Sequence, residues 1–505
     1  MAKTPSFITE IPLKTSSYEE SILKKRFWVA KQQYNALLGE CLKRLDGMKK
    51  DSRYKKASLL YKSKETRKEA KDLYKTLAIE YAYREYDLHR YCKQWNKKKS
   101  PLSIGSRISQ KLAKRVYEAC ERYKKYKPTK KEDWKKEKGK PRFKGYRGIH
   151  SIEDNSMDAN LRLVDDVIYY LGIKLPLIYD LKDPVHEHCM SSKVKYIRLV
   201  RRKYNIKTHY YAQLICEGTP LIKSKNLSKD GTIGLDIGPQ TIAIVSKERD
   251  YASLEVFADE LKQTKKLKQS LQRNQSRQLR ARNPDCFEKD IWVKKDKHWK
   301  KKLGKTLKGK RLRNRSILLK KTFSKLREVN RREASTRKKL HGNLVNRILK
   351  EGKYIKTEKI SYKWFQSLYG SSIGMRAPGM FVEHLRRKAE NAGGKVEEIN
   401  TRTTKLSQVC HCGKVEKKSL KERWHKCSCG VKCQRDLYSA YLCTYVEKDK
   451  LIADQAQANW SGKDHVLYAT MRKVKQSSRG HKVPSSLGLS KMPNPGSEIV
   501  AYAVS

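Results

Sequence analysis

Cys410-His411-Cys412-Gly413, then Cys427-Ser428-Cys429-Gly430, then Cys433-Gln434-Arg435-Asp436-Leu437-Tyr438-Ser439-Ala440: this stretch decides how the rest of the chain is read. Two pairs of close thiols, each followed by glycine, run directly into an acid that opens an apolar helix. Thiols this close cannot bridge within a pair without severe strain. Four thiolates together suit tetrahedral Zn²⁺. The usual ribbon spacing is Cys-x-x-Cys, whereas both knuckles here are Cys-x-Cys. His411, His425 and Cys433 therefore stand as alternative ligands beside Cys410, Cys412, Cys427 and Cys429. A structural zinc is expected, pinning the loop that presents Asp436. A catalytic zinc is not, because no open three-ligand set with a partner acid is visible.

Working upstream, Gly234-Leu235-Asp236-Ile237-Gly238 puts a second acid at the end of a strand. The flanking glycines suggest room for a ligand or metal close to the backbone. Tyr354-Ile355-Lys356-Thr357 is another strand, ending at Glu358. Singly, each acid has a plainer reading: Asp236 as a turn residue, Glu358 as surface charge, Asp436 as a helix N-cap. As an ordered set at the edges of one α/β layer, they could hold two Mg²⁺ ions about 4 Å apart. Hard carboxylate oxygens suit that ion. Such a pair activates water and stabilises the leaving oxygen of a phosphodiester, so the set points to a metal-dependent nuclease.

Composition agrees. The 505 residues include 117 Lys and Arg against 53 Asp and Glu, a formal net charge of +64. That excess repels itself in a compact state unless a polyanion neutralises it. Nucleic acid is the natural partner, and the 29 Tyr supply stacking surfaces. Six of the 12 Cys lie between Cys410 and Cys443 and the others are isolated, which is not a disulfide framework. A reducing cytoplasm is expected, with no apolar signal core at Met1-Ala2-Lys3-Thr4 and no membrane span.

Along the chain, residues 7 to 13 read as one strand. A basic helical region runs from Tyr18 to about Tyr126, with an apolar face at Leu23, Phe27, Tyr34, Leu37, Leu38 and Cys41. Lys127 to Lys138 reads as unstructured. Strand-like runs at Leu161–Val164, Val167–Leu175, Val194–Arg201 and Lys207–Cys216 predict a small barrel or sheet domain. From Thr232 the pattern is α/β: a hairpin over Thr232–Ile237 and Thr241–Ser246, then a basic helical region from Glu260 to Leu349, broken near Asn283-Pro284 and at Gly304 and Gly309. Within it, Lys294 to Arg337 is dense in Lys and Arg, with Trp292 and Trp299 close by, a composition that tracks phosphate without reading sequence. Residues 451-505 read as a poorly ordered tail.

These ordered motifs resemble the TnpB family of transposon-encoded RNA-guided nucleases, ancestral to the type V CRISPR effectors. The resemblance rests on Gly234-Leu235-Asp236-Ile237-Gly238, Glu358, Ser407-Gln408-Val409-Cys410, Cys412-Gly413, Cys427, Cys429-Gly430 and Arg435-Asp436, with Lys140-Pro141-Arg142-Phe143-Lys144 similar to a further family motif. It implies an α/β multidomain chain: an RNase H-like RuvC nuclease domain with a zinc-ribbon insertion, a wedge β-barrel and a helical recognition lobe. The implied layout is a wedge strand at 1-15, recognition helices at 16-138 and the wedge barrel at 139-230. The nuclease domain follows at 231-405, including the basic segment 260-349, with the zinc insertion at 406-432 and the last nuclease part at 433-450. Asp236, Glu358 and Asp436 are the implied catalytic, Mg²⁺-binding acids, and Cys410, Cys412, Cys427 and Cys429 the implied Zn²⁺ ligands. Lys140, Arg142, Phe143, Lys144, Arg311, Arg313, Arg315 and Arg435 are expected on nucleic acid. The partners implied are a guide RNA and double-stranded target DNA, for a monomer or homodimer in a prokaryotic cytoplasm, nucleoid-associated when on DNA. Base pairing would read the target. The family pattern after the last acid is Arg-Asp-x-Asn-Ala, and Tyr438 stands at the Asn position. The alternatives are a non-cleaving RNA-guided binder and a transposase that cuts and joins DNA.

Overall fold

The computed structural model describes the chain apart from residues 1–4, 100–101, 126–138, 146–147, 155–159, 206, 296–297, 308, 311, 313, 420–421, 478–486 and 489–505. The unstructured reading of Lys127–Lys138 therefore lies outside the described residues. Two compact units form, Met1–Leu221 and Ile222–Ser505. The division falls before the 230/231 boundary expected from the resemblance. Among the described residues, no helix is long and apolar enough to cross a membrane.

In the first unit, strand β1 (Ser6–Pro12) precedes helices α1 (Ser17–Lys50), α2 (Ser52–Leu60), α3 (Arg67–Glu80), α4 (Glu85–Lys99) and α5 (Ser106–Lys125). A capping box starts α1: Glu19 N–H donates to Ser16 Oγ, and Ser16 N–H donates to the Glu19 carboxylate. The predicted apolar face is buried as one stripe, from Leu23 and Phe27 through Leu37, Leu38 and Cys41. Strands β2 (Ser151–Glu153), β3 (Leu161–Val164), β4 (Val167–Tyr170) and β5 (Ile173–Pro176) follow. Helix α6 (Pro184–Met190) leads into the long pair β6 (Val194–Tyr204) and β7 (Lys207–Glu217). The strands make a four-stranded sheet in the order β1-β7-β6-β2 and a three-stranded sheet β3-β4-β5. A bridge between Leu13 and Leu177 joins them. The run expected as one strand, Val167–Leu175, is two strands, because Leu171 and Gly172 turn the chain through positive φ.

The second unit holds the three acids and the cysteine cluster. Its five-stranded sheet runs β10-β9-β8-β13-β14, built from β8 (Thr232–Ile237), β9 (Thr241–Ser246), β10 (Ala252–Val256), β13 (Tyr354–Glu358) and β14 (Lys395–Ile399). The first three strands are antiparallel hairpins, whereas β8, β13 and β14 are parallel. Between β10 and β13 an arm leaves the sheet: α7 (Lys265–Arg282), a two-stranded ribbon of β11 (Ile291–Lys295) and β12 (His298–Lys302), and α8 (Ile317–Glu351). The ribbon replaces the break that was read between two helices. After β13 come α9 (Tyr362–Arg376) and α10 (Pro378–Asn391). After β14, the cysteine loop with its short strands β15 (Trp424–Lys426) and β16 (Lys432–Gln434) leads into α11 (Arg435–Cys443).

The expectation of a poorly ordered tail from residue 451 is corrected. Helices α12 (Ala453–Ala458) and α13 (Asp464–Ser477) follow, and Leu467 and Met471 of α13 are fully buried in the core shared with α11. Leu487 joins the same core, while residues 478–486 and 489–505 lie outside the described part.

Candidate active site and metal centre

The register of two parallel strands begins the site. Strand β13 pairs with β8 through Lys356↔Gly234 and Thr357↔Leu235, so one further step sets Glu358 level with Asp236. Neighbouring strands lie about 4.8 Å apart, and side chains alternate between faces along each strand. Gly234, Asp236, Lys356 and Glu358 therefore share one face.

Helix α11 crosses that face. A Cβ at Gly234 would overlap the carbonyl oxygen of Ala440, so the strand and helix backbones touch only because residue 234 has no side chain. Two residues along a strand is about 6.6 Å, and four residues along a helix is about 6 Å. With Ala440 over Gly234, Asp436 thus falls over Asp236. The flanking glycines were expected to make room for a ligand. Gly234 instead makes room for the helix that carries the third acid, and Gly238 closes the turn, its N–H donating to the Thr241 carbonyl. Lys356 holds the other end of α11, its Nζ donating to the carbonyls of Val446 (2.6 Å) and Thr444 (3.3 Å). A cation there complements the helix C-terminus.

Asp436 is not the N-cap of its helix. Gln434 fills that role, accepting from Leu437 N–H at 2.7 Å. The Asp436 carboxylate, 7 % exposed, instead accepts from Thr241 Oγ1 (3.3 Å) and stands near Arg435 (3.6 Å) and Arg423 (3.8 Å). Asp236 and Glu358 are half-buried. Burial, then the charges of Asp436 and Glu358, push the Asp236 carboxyl well above its usual range, against the opposing pull of Arg435 and Arg423. Burial pushes Glu358 up to about 7. Asp236 and Glu358, both disfavoured in their charged forms, together with the Asp436 carboxylate make a site a divalent cation would relieve, and their hard oxygens fit Mg²⁺.

In that cluster, the sulfurs of Cys410, Cys412, Cys427 and Cys429 all lie within 4.8 Å of one another. The pairs Cys410–Cys429 and Cys412–Cys427 are each 3.5 Å apart, too long for a disulfide. Zn–S bonds of about 2.3 Å at tetrahedral angles put sulfurs about 3.8 Å apart, so the cluster fits Zn²⁺. The short knuckles close identically. Cys410 N–H donates to Lys414 O and Gly413 N–H to Cys410 O; Cys427 N–H donates to Val431 O and Gly430 N–H to Cys427 O. Gly413 and Gly430 take φ of 86° and 92°, the left-handed conformation these turns require.

The alternative ligands lie outside the four-sulfur group. His425 Nδ1 accepts from Lys418 Nζ at 2.8 Å, and Cys433 is completely buried. His411 Nδ1 lies 3.1 Å from the Tyr438 hydroxyl, which also accepts the His411 N–H (3.0 Å) and lies 3.3 Å from Cys410 Sγ. Tyr438, two residues after Asp436, thereby ties the thiol cluster to the acid's helix.

The residues expected on nucleic acid divide. Phe143 is exposed, and Lys144 is bracketed against α1 by both ends of the Asn35 amide while its ammonium lies over Tyr34. Lys140 and Arg142 belong to the same strap. Arg315 lies over Phe323, and Arg311 and Arg313 fall outside the described residues. Arg435 is engaged within the chain. Its guanidinium donates to the carbonyls of Glu422 (2.9 Å) and Ser419 (3.4 Å), locking the cysteine loop to Asp436. Thr241, Lys356 and Arg423 were not anticipated as supports. Only the closeness of Thr241 to Asp236 in sequence hinted at any of them.

The site is thus an acid trio on the face of a mixed α/β sheet, backed by a four-thiolate centre. Residues 379–442, which run from α10 through the cysteine loop to the end of α11, match the family model described as "Cas12f1-like, TNB domain". Two solved structures are among those similar to the chain. The Cas12f1–sgRNA–target DNA complex is 12 % identical, with 86 % of this chain and 98 % of that one covered and a TM-score of 0.42. The CRISPR–Cas12f ternary complex is also 12 % identical, with 84 % and 82 % covered and a TM-score of 0.28. No curated protein matches the chain.

Proposed function

We propose that the chain is an RNA-guided DNA endonuclease of the compact TnpB or type V kind. In this reading the five-stranded sheet is a RuvC-like domain of RNase H type, and Asp236, Glu358 and Asp436 are its catalytic acids. The observation that carries the reading is the placement of Asp436 over Asp236, with Glu358 level beside it, on a chain of net charge +64. The Cas12f1-like match over the cysteine loop and α11 supports it.

Bound Mg²⁺ would supply charge stabilisation at the phosphate and a more acidic water. Asp236 and Glu358 present their carboxylates from rigid strand ends. Asp436 is oriented by Thr241, Arg423 and Arg435. The thiol cluster would hold a structural Zn²⁺ that fixes the loop contributing Arg423 and the carbonyls that hold Arg435. Guide pairing would choose the target, with the basic surfaces gripping backbone.

Expression with the native flanking DNA, followed by sequencing of co-purified RNA, should yield one discrete RNA ending in a variable segment. Asp236→Ala should lower Mg²⁺-dependent cleavage of a matched duplex about a hundredfold or more while leaving RNA bound. A heterogeneous mixture of cellular RNA would replace the guided reading with an unguided nuclease or transposase. Cleavage retained by the variant would remove Asp236 from the chemistry.

A further inference from the structure

The ribbon of β11 and β12 has features its own folding does not call for. An isolated two-stranded hairpin is marginal in water, and every residue of β12 is exposed. The register pairs Trp292 with Lys301 and Lys294 with Trp299. Paired residues in an antiparallel ladder share a face, so both tryptophans and two lysines lie on one side of the ribbon. Trp292 is 65 % exposed and Trp299 64 %. Two indoles left open to water on one face is an unfavourable arrangement for a surface with no partner.

The ribbon's base is firmly built. Gly304 N–H donates to Asp290 Oδ1 (2.8 Å), and Arg280 of α7 donates to the Gly304 carbonyl (2.7 Å). Leu307 N–H donates to Cys286 O, and Glu288 N–H to Lys305 O. A side chain at Gly304 would strike the Glu288 carbonyl, so the two legs touch backbone to backbone there. The tryptophan face is thus held out from α7 on a fixed stem. Diagonal positions across such a pair lie about 7–8 Å apart, which leaves space for one flat ring between the indoles. Directly across the ladder each indole faces a lysine, Lys301 opposite Trp292 and Lys294 opposite Trp299.

We propose that this ribbon is a clamp for unpaired nucleotides, with bases stacking on Trp292 and Trp299 and backbone phosphates meeting Lys294 and Lys301. The proposal rests on the nucleic-acid reading above and adds to it a strand state and a place. Duplex is disfavoured as the occupant, because its bases are already stacked and offer no open faces to an indole. The lysines favour a polyanion over an apolar protein partner.

The test uses the full-length chain and its W292A/W299A variant. The probes are a labelled oligothymidylate, an oligouridylate and a mixed-sequence duplex of equal length. Affinity for single strands should fall about tenfold or more, with duplex affinity changed less than about twofold. The ratio of wild-type to variant affinity should hold as salt rises, because stacking releases no counterions. W292F/W299F should recover most of the loss, which excludes misfolding as its cause. Loss on oligouridylate alone assigns the clamp to RNA, on oligothymidylate alone to DNA, and on both to any unpaired strand. Equal loss on duplex, or no loss, overturns the proposal and leaves the nuclease reading standing. A variant that changes oligomeric state without nucleic acid also overturns it, in favour of a second copy of the chain. A wild-type protein that binds none of the probes removes both readings.

Discussion

Helices α11 and α7 belong to the same unit and are opposite in construction. Every residue from Asp436 to Cys443 in α11 is buried, whereas α7 buries none of its residues. Around α11, packing sets the arrangement: Gly234, Lys356 and Tyr438 seat the helix that carries Asp436. On α7, Arg273 and Arg277 line an open concave surface with Lys266, Gln269 and Asn274, and both arginines are exposed. A carboxylate site must be over-determined, because like charges brought together and out of water resist assembly. A phosphate-binding surface needs only density of charge.

The contrast is broken most easily at Gly234. Gly234→Ala places a methyl group against the Ala440 carbonyl, which is backbone and cannot rotate away. The expected cost is about 3 kcal/mol or more, with cleavage lost as α11 lifts Asp436 off Asp236. Gly238→Ala meets the Thr241 hydroxyl at 3.1 Å and the Thr241 carbonyl at 3.4 Å, far looser than the Gly234 contact, and should cost less than about 1 kcal/mol. Thermal melting of both variants checks this. Equal melting temperatures would mean that α11 is not seated as described.

What the sequence made legible follows the same divide. The acids stood out because each ends a strand or opens a helix, and the thiols because of their spacing. Their supports were hidden. Lys356 and Gly234 act through a parallel pairing that brings distant segments into register, and no local pattern encodes that. Gly234 was misread as leaving space for metal, since sequence shows that a side chain is missing but not what fills the gap. The ribbon escaped notice for a different reason. Strand periodicity comes from burying one face, and His298-Trp299-Lys300-Lys301-Lys302 buries neither. Helix α13 was taken for tail because polar, Gly- and Pro-bearing sequence follows it, although Leu467 and Met471 seal the core under β10.

A smaller effect is expected at the thiol centre, which stands between the two extremes: Cys412 and Cys429 are exposed, while Cys410 is buried against Tyr438. Elemental analysis should find one zinc per chain. Cys427→Ser should lose it and destabilise the protein by about 2–4 kcal/mol. His425→Ala should retain the metal, since that ring is engaged by Lys418. Zinc lost from the histidine variant and kept by the cysteine variant would reverse the ligand assignment.

The smallest effect on stability, and the most separable one, belongs to α7. Arg273→Ala and Arg277→Ala remove exposed cations from a helix with no buried face, so each should leave folding stability within about 0.5 kcal/mol. Their signature is in the salt dependence of binding. A cation that neutralises one phosphate contributes about 0.7 to 0.9 to the slope of log K against log salt, so each substitution should reduce the slope by about that amount, and the double substitution by about twice as much. Additivity is the informative part, because sites that share no packing do not couple. If the pair lost far more than the sum, α7 would be a cooperative site like α11, and the distinction between a packed acid centre and an open basic surface would fail. An unchanged slope with unchanged affinity would move the nucleic acid off α7 altogether and leave the ribbon beyond it as the part of the arm that touches a strand.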